Sequence, residues 1–311
     1  MNVSVVIPVL NEVDSLGQLT KELANNLKGY DNWEVIFIDD GSTDGSTIWL
    51  SEYCTNNENF TLIQFFRNYG KSAALSEGFK ISNGDFIITM DADLQDDPLE
   101  IKNLIEKLSA GWDVVSGWKK TRLDPLSKRV PSKVFNFITR LFTGVKIHDF
   151  NCGLKAYRQS VVKAIDIYGG LHRYIPALAG QKKFSVTEIV VNHRARIHGQ
   201  SKYGGSRLLH GFFDLITILF LNRFIQRPLH LFGSFGIGLL STGFIIEILV
   251  LHYKYWLNEP FSKHFALLIL GVMLIVVGIQ FFSIGLLGEL LTKTNHGNQK
   301  RIKSIHKKRL S

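Results

Sequence analysis

The chain has 311 residues, enough for one large domain or two small ones with a hydrophobic core. It carries 36 Lys and Arg against 27 Asp and Glu, which gives a formal net charge of +9. Cys54 and Cys152 are its two cysteines and lie far apart in the sequence, which excludes a disulfide framework or a cysteine-based metal site and indicates a reducing compartment.

The N-terminal two thirds of the chain alternates between apolar runs and segments with helical periodicity. The predicted strands are 3–10, 33–40, 60–66, 85–91 and 112–118. The predicted helices are 13–27, 46–54, 71–81 and 98–110. Strands that are apolar on both faces and separated by helices predict an α/β domain whose mostly parallel, Rossmann-like sheet is covered on both sides.

A polar cluster follows each of the first four predicted strands. The clusters are NE at 11–12, DDGSTDGS at 39–46, RNYGK at 67–71 and DADLQDD at 91–97. Because ligands of open parallel sheets bind at the carboxyl ends of the strands, the four clusters predict a single site.

Two of these clusters suggest specific chemistry. Asp39 and Asp40 can accept hydrogen bonds from a nucleotide base or ribose, although an ordinary Asp/Gly/Ser turn with a helix cap is the alternative. Asp91 and Asp93 alternate at the end of a buried strand and offer hard oxygen ligands to Mg²⁺ or Mn²⁺, which can bridge two phosphates. An isolated D-x-D is common by chance, so its position after the strand is what gives it weight.

Two long apolar runs, 229–251 and 265–291, follow the α/β region. At 1.5 Å per residue in a helix, each exceeds a hydrocarbon core of about 30 Å. Core helices of a soluble domain are the alternative, which two successive runs of this length disfavour. We therefore predict two membrane spans.

The charges around the two runs predict their orientation. The first twelve residues lack the basic segment of a signal peptide, so residues 1–228 are expected in the cytoplasm. Two spans return the chain to that side, where seven Lys and Arg from Lys293 onward satisfy the positive-inside rule. Membrane binding by this basic tail is favoured over nucleic-acid binding. The loop between the spans, residues 252–264, is expected outside the plasma (inner) membrane.

Two further segments mix apolar faces with Lys and Arg. Segments 131–142 and 205–224 read as helices lying in the cytoplasmic interface, with packing into a protein core as the alternative. The predicted organisation is a catalytic domain at 1–204, an amphipathic region at 205–228, two spans within 229–292 and a basic cytoplasmic tail at 293–311.

Five segments in a fixed order resemble family 2 glycosyltransferases: SVVIPVLNE, VIFIDDGSTDGS, FRNYGKSAALSEGF, MDADLQDDP and HRARIHGQSKYG. With two apolar runs after them, they are most similar to the polyprenyl-phosphate glycosyltransferases, the group that includes dolichol-phosphate mannose synthase. The resemblance implies a GT-A fold, a nucleotide-sugar donor, Mg²⁺ or Mn²⁺, and a polyprenyl phosphate acceptor, undecaprenyl phosphate being expected.

The resemblance also implies roles for individual residues. The donor-binding set is Pro8, Asn11, Glu12, Asp39, Asp40, Lys71, Asp91 and Gln95, and the metal-binding set is Asp91, Asp93 and Gln95. The motif H-x-x-R-x-x-G-x-S-K-Y starts at His193, and the acceptor-phosphate set is Arg122, Arg129, Arg196, Ser201 and Lys202. Asp93, Asp149 and Arg196 are expected to be catalytic, with Asp149 orienting the sugar. A solvent-facing Lys71 is the alternative for that residue.

The implied reaction is an inverting transfer of a hexose, with UDP-glucose as the first expectation and GDP-mannose as the alternative. A non-catalytic nucleotide-binding membrane scaffold is a second alternative. A processive polysaccharide synthase is disfavoured because the chain lacks further spans and a Q-x-x-R-W motif.

A glycine stripe in the second apolar run bears on assembly. Its members are Gly271, Gly278, Gly285 and Gly288. Small residues let transmembrane helices approach closely, so the stripe predicts packing between the two spans, between protomers of a homo-oligomer, or both.

Overall fold

The computed structural model describes residues 1–120, 132, 136–141, 143–194 and 228–295. The chain divides into two compact units, Met1–Ile216 and Thr217–Ser311. The first unit contains a seven-stranded sheet with helices, and the second contains two long apolar helices.

The elements follow the sequence prediction closely. The strands are β1 (Asn2–Val9), β2 (Asn32–Asp39), β3 (Phe60–Gln64), β4 (Phe86–Thr89), β5 (Val114–Trp118), β6 (Lys155–Arg158) and β7 (Val186–Val190). The helices of the first unit are α1 (Val13–Leu27), α2 (Ser46–Thr55), α3 (Lys71–Ile81), α4 (Glu100–Ser109), α5 (Gln159–Ala164) and α6 (Ile175–Gln181), and a 3-10 helix spans Leu171–Tyr174. The predicted α/β class is confirmed, and β6 and β7 are additions to the predicted strands.

The sheet order is β3-β2-β1-β4-β6-β5-β7. Its neighbours are parallel except at β6, which is antiparallel to both β4 and β5. Because β6 runs the other way, the segment that enters it lies at the same edge as the loops that leave β1, β2 and β4. The sheet therefore gathers loops from both directions at one edge.

Helices cover both faces of the sheet. Leu16, Leu19, Leu23 and Leu27 of α1 have helical spacing and are fully buried in a core shared with β1 and α4. On the other face α3 approaches β1 closely at Gly78. A Cβ added at Gly78 would lie 2.3 Å from Val6 Cγ1. This double cover explains why the strands are apolar on both faces.

The second unit consists of α7 (Pro228–Tyr255) and α8 (Phe265–Asn295), joined through a 3-10 helix at Phe261–His264. The candidate spans Pro228–Tyr255 and Phe261–Leu291 have mean hydropathies of 2.0 and 2.7. The most apolar stretches of the two are only 17% and 11% buried, unlike core helices of a soluble protein. By length and composition both could span a membrane.

Glycines mediate the contact between α7 and α8. A Cβ added at Gly236 would lie 2.8 Å from the carbonyl oxygen of Gly278, and one at Gly278 would lie 2.9 Å from the carbonyl oxygen of Gly236. A Cβ at Gly243 would lie 2.8 Å from the Gly271 carbonyl oxygen. The predicted glycine stripe thus packs against α7 within one chain, which is one of its two predicted uses.

Replacing Gly236 with Leu is expected to destabilise this helix pair, because the side chain would overlap the α8 backbone. Overpacking of this kind costs about 1–3 kcal/mol. The matched control is Gly238→Leu, since nothing lies within 4 Å of a Cβ at Gly238. Thermal unfolding of the full chain in mild detergent measures the effect, and equal melting temperatures for the two variants would contradict the assigned contact.

Candidate active site

The loops after β1 and β2 are hydrogen-bonded to each other. The Asn11 side-chain oxygen accepts from the Thr43 backbone N–H at 2.7 Å, and the Asn11 N–H donates to Ser42 Oγ at 2.9 Å. The Glu12 N–H donates to Ser46 Oγ at 3.0 Å. Asn11 has a φ of +53°, a left-handed conformation that Asn tolerates better than most residues. Two predicted donor-binding segments therefore form one rigid rim, which begins just after Pro8 in β1.

Asp39 and Asp40 are almost completely buried at the end of β2. Asp39 accepts hydrogen bonds from the Ser42 N–H at 3.0 Å and from the Thr47 hydroxyl. Asp40 accepts from the backbone N–H groups of Tyr69 at 2.7 Å and Gly70 at 2.9 Å. Burial raises the pKa of Asp40, although these two N–H donors oppose the shift. Asp40 thus fixes the loop that carries Lys71.

Lys71 and Asp91 form an ion pair at the centre of the site. Lys71 is the first residue of α3, and its ammonium contacts Asp91 Oδ1. Burial would raise the pKa of Asp91, but the charges of Lys71, Lys119 and Lys155 lower it to about 2. Lys71 is thus paired within the protein, and its role in donor binding stays a prediction.

The backbone of Gly153 closes the other side of the Asp91 carboxylate. A Cβ added at Gly153 would lie 2.6 Å from Asp91 Oδ2 and 2.8 Å from its Cγ. The Gly153 carbonyl oxygen accepts a hydrogen bond from Thr89 Oγ1 at 3.0 Å. A side chain at this position would displace the carboxylate, because the segment that enters β6 passes directly over it.

The turn after β4 is strained and internally braced. Leu94 is buried and has a φ of +61°, which is unusual for a bulky residue. Asp93 Oδ1 accepts from the Gln95 N–H at 3.2 Å, and Asp96 Oδ2 accepts from the Asp91 N–H at 3.1 Å. Such strain persists only where the surroundings enforce it, and it is frequent at functional sites.

The start of the predicted basic motif lies directly against this turn. His193 forms a β-bridge with Asp96, and the Arg194 N–H donates to the Gln95 carbonyl oxygen at 3.0 Å. The Arg194 guanidinium pairs with Asp97 and Glu22, each at 2.7 Å. The start of the motif therefore lies at the site. Arg196, the next residue expected to bind the acceptor, follows two residues later in the sequence.

Two buried lysines beneath the site were not among the sequence predictions. Lys119 Nζ lies 2.9 Å from Asp96 Oδ1, so the buried carboxylate has a cationic partner. Burial would lower the pKa of Lys119, but Asp96 raises it. Lys155 is 3% exposed and donates a hydrogen bond to the Cys152 carbonyl oxygen. Burial and the charge of Lys71 together lower the pKa of Lys155. Their adjacency to the aspartate cluster arises from strand pairing and has no local sequence signal.

Asp149 is also buried and belongs to the segment that leads into β6. It accepts a hydrogen bond from the Asn151 N–H at 3.0 Å, while its carbonyl oxygen accepts from Ser116 Oγ at 3.2 Å. Asp149 and Asp91 both raise the pKa of Lys155 electrostatically, so the two carboxylates lie near the same ammonium. Cys152 is buried, and burial raises its pKa to about 12, which makes it an unreactive thiol.

Five predicted acceptor-site residues lie outside the described residues: Arg122, Arg129, Arg196, Ser201 and Lys202. Residues 131, 133–135 and 142 of the predicted amphipathic segment 131–142, all of 205–224 and the tail from 296 onward also lie outside them. The roles given to these residues stay predictions.

Asp91 and Asp93 are the candidate carboxylates for a divalent metal ion. Among the described residues, no group of three or more His, Cys, Asp and Glu side chains is arranged to hold a metal ion. Mg²⁺ is nevertheless often bound by one or two carboxylates with substrate phosphates supplying further ligands. Asp91 and Asp93 are half-buried and fit that arrangement, with Gln95 beside them.

The chain is similar to known proteins over most of its length. The family model for glycosyl transferase family 2 matches residues 4–166. A dodecaprenyl-phosphate galacturonate synthase of Rhizobium johnstonii is 36% identical over 301 residues, covering 94% of this chain and 88% of that protein. An undecaprenyl-phosphate 4-deoxy-4-formamido-L-arabinose transferase of Pseudomonas aeruginosa is 36% identical over 291 residues, covering 93% and 84%.

Solved structures share the fold at low sequence identity. A glucosyl-3-phosphoglycerate synthase from Mycobacterium tuberculosis, crystallised with Mn²⁺, uridine-diphosphate and glucosyl-3-phosphoglycerate, matches with a TM-score of 0.55 and 18% identity. The match covers 71% of this chain and 79% of that chain. This likeness supports the GT-A fold of the sheet unit.

Proposed function

Because the chain belongs to glycosyltransferase family 2, within its polyprenyl-phosphate group, we propose that it transfers a sugar from a nucleotide-sugar donor to a polyprenyl phosphate in the membrane. The observation that carries this proposal is the Asp91 carboxylate, at the edge where the loops expected to bind the donor meet His193 and Arg194 at the start of the basic motif. The two apolar helices and the acceptors named for both relatives support a lipid acceptor.

The proposed step is a single displacement. An oxygen of the lipid phosphate attacks the anomeric carbon while the bond from that carbon to the nucleotide diphosphate breaks. The acceptor needs little activation, since the second pKa of a phosphate monoester is about 6. One displacement inverts the anomeric centre, so an α-linked donor gives a β-linked polyprenyl-phosphate sugar.

The protein's task in this step is to hold two anions together. A divalent cation, Mg²⁺ or Mn²⁺, would neutralise charge on the departing diphosphate, held by Asp91 and Asp93 with Gln95 nearby. Asn11, Glu12 and Asp40 support the loops that would enclose the nucleotide. Asp149 would orient the sugar, and the five basic and polar residues of the acceptor set would bind the lipid phosphate.

The proposal also covers the identity of the donor sugar. UDP-glucose is the first choice and GDP-mannose the alternative, and the relatives are named for galacturonate and formamido-arabinose. Membranes containing the full chain should be incubated with radiolabelled nucleotide derivatives of all four sugars, and the lipid phase extracted. Lipid-linked label from at least one donor is expected, while nucleotide binding without any lipid product would favour the non-catalytic scaffold.

We also propose a membrane arrangement and an oligomer. The catalytic domain and both termini would lie in the cytoplasm, with residues 252–264 outside the plasma membrane. Labelling a cysteine introduced at Ser262 with an impermeant reagent in intact cells tests this orientation. The homo-oligomer would be tested by cross-linking and light scattering in detergent and in nanodiscs, where monomers in both would contradict it.

Replacing Arg196 with Ala is expected to lower transfer by roughly 10- to 150-fold, because one charge-assisted hydrogen bond to phosphate is lost. Membrane insertion should be unchanged. Initial rates in membranes normalised for protein amount measure the effect. Lys80→Ala is the control, since Lys80 forms an exposed ion pair with Glu77 at 2.6 Å. A near-normal rate for Arg196→Ala would make it a surface residue without a role in transfer.

A further inference from the structure

The Asp91 carboxylate already has a cationic partner in the protein itself. Lys71 contacts Oδ1, and the backbone of Gly153 blocks approach to Oδ2 from one side. The pair is partly open, with the Asp91 side chain 36% exposed and the Lys71 side chain 28% exposed. A metal ion that binds Asp91 must therefore either share the carboxylate with Lys71 or displace Lys71 from it.

We propose that Lys71 is a resident counter-ion of the metal site, which makes divalent-cation binding depend on the nucleotide. Without nucleotide, the ammonium holds Asp91 and repels a second cation. When the nucleotide binds, its diphosphate offers Lys71 an alternative partner and gives the metal additional oxygen ligands. This inference rests on the proposed nucleotide-sugar donor.

The surroundings of Lys71 favour such an exchange. Gly70 precedes it with a φ of +91°, and Asp40 fixes that turn through the Tyr69 and Gly70 N–H groups. The backbone at the base of the side chain is thus held in place, and the side chain as a whole is 28% exposed. A Lys ammonium binds phosphate as a compact point charge, so a modest movement is enough to change partners.

The other lysines near Asp91 do not serve this purpose. Lys119 is paired with the buried Asp96, and Lys155 is buried and bonded to the Cys152 carbonyl oxygen. The charge of Lys119 is offset by Asp96. Lys71 is the member of this group whose side chain lies at the open edge.

The test uses Mn²⁺ as probe, counted by electron paramagnetic resonance with the full chain in detergent. Binding is measured for the wild type, Lys71→Met, Lys71→Arg and Lys80→Met, each alone and with UDP or GDP. Lys80 lies on the same helix and pairs with exposed Glu77, which makes it a matched control. Melting temperatures establish that each variant is folded, and Lys71→Gln replaces Lys71→Met if the latter is not.

Without nucleotide, Lys71→Met is expected to bind Mn²⁺ about tenfold more tightly than the wild type, because one repelling charge at close range is removed. The wild type should gain Mn²⁺ affinity when the nucleotide is added, and the same coupling must appear in nucleotide affinity when Mn²⁺ is added. This gain should be smaller in Lys71→Met. Lys80→Met should behave like the wild type. Lys71→Arg keeps the positive charge and should not gain Mn²⁺ affinity without nucleotide.

If Lys71→Met binds Mn²⁺ without nucleotide as the wild type does, the inference is overturned. It is also overturned if the nucleotide increases the Mn²⁺ affinity of Lys71→Met as much as that of the wild type. Either result leaves sugar transfer by the wild type intact. Conversely, the absence of lipid-linked product from every donor would overturn the proposed function while the Mn²⁺ measurements on the nucleotide-free chain still stood.

Discussion

Replacing Asp91 with Asn is expected to lower sugar transfer by roughly 1000-fold, because a metal ion on the leaving diphosphate supplies several kcal/mol of stabilisation. Asn has nearly the same shape, so the sheet unit should stay folded. The neutral amide loses both the attraction to the metal and the ion pair with Lys71. Initial rates with the accepted donor, at several Mg²⁺ and Mn²⁺ concentrations, measure the loss.

The matched control is Asp85→Asn, because Asp85 directly precedes β4 whereas Asp91 follows it. Asp85 accepts one exposed hydrogen bond from the Asn2 N–H at 3.1 Å, and its substitution should leave transfer nearly unchanged. Chelation of divalent ions should reproduce the Asp91→Asn phenotype in the wild type, and added Mg²⁺ or Mn²⁺ should reverse it. Full activity in chelator would refute the metal assignment.

Replacing Gly153 with Ala is expected to lower transfer by at least about 100-fold, although no charge is removed. The new Cβ would lie 2.6 Å from Asp91 Oδ2, so the carboxylate must move away from its position. A displacement near 1 Å at a reacting centre is enough for a loss of this size. The comparison of Gly153→Ala with Asp91→Asn separates the position of the carboxylate from its charge.

Gly29→Ala provides the control for an added methyl group, since nothing lies within 4 Å of a Cβ at Gly29. Far-ultraviolet circular dichroism and the melting temperature should show that Gly153→Ala is folded. Normal transfer by folded Gly153→Ala would mean that the segment entering β6 moves easily and does not fix Asp91.

The sequence was sufficient for the parts of the fold that depend on local pattern. Strands that are apolar on both faces and helices with regular spacing identified β1 to β5 and α1 to α4. The strands β6 and β7 were missed, because KAYR is short and charged at both ends and VTEIV is only partly buried. Their places are decided by pairing with distant strands, which local pattern does not encode.

The candidate site divides in the same way. The rule that ligands bind at strand carboxyl ends identified Asn11, Asp40, Lys71 and Asp91 as neighbours. It did not predict that Lys71 pairs with Asp91, or that Lys119 and Lys155 lie beneath. Those contacts follow from the antiparallel insertion of β6 and from the packing of loops, so they required the three-dimensional structure.

The insertion of β6 between β4 and β5 has a consequence for the order of folding. Ile88 pairs with Ala156 on one side of β6, and Val115 pairs with Ala156 on the other. These pairings join residues far apart in the chain, and such contacts form slowly because a long loop must close first. Gly153 can reach Asp91 only after β6 has entered the gap, so the carboxylate acquires its final surroundings late. During synthesis, the nucleotide rim near Asn11 can therefore form well before the chain is competent for transfer.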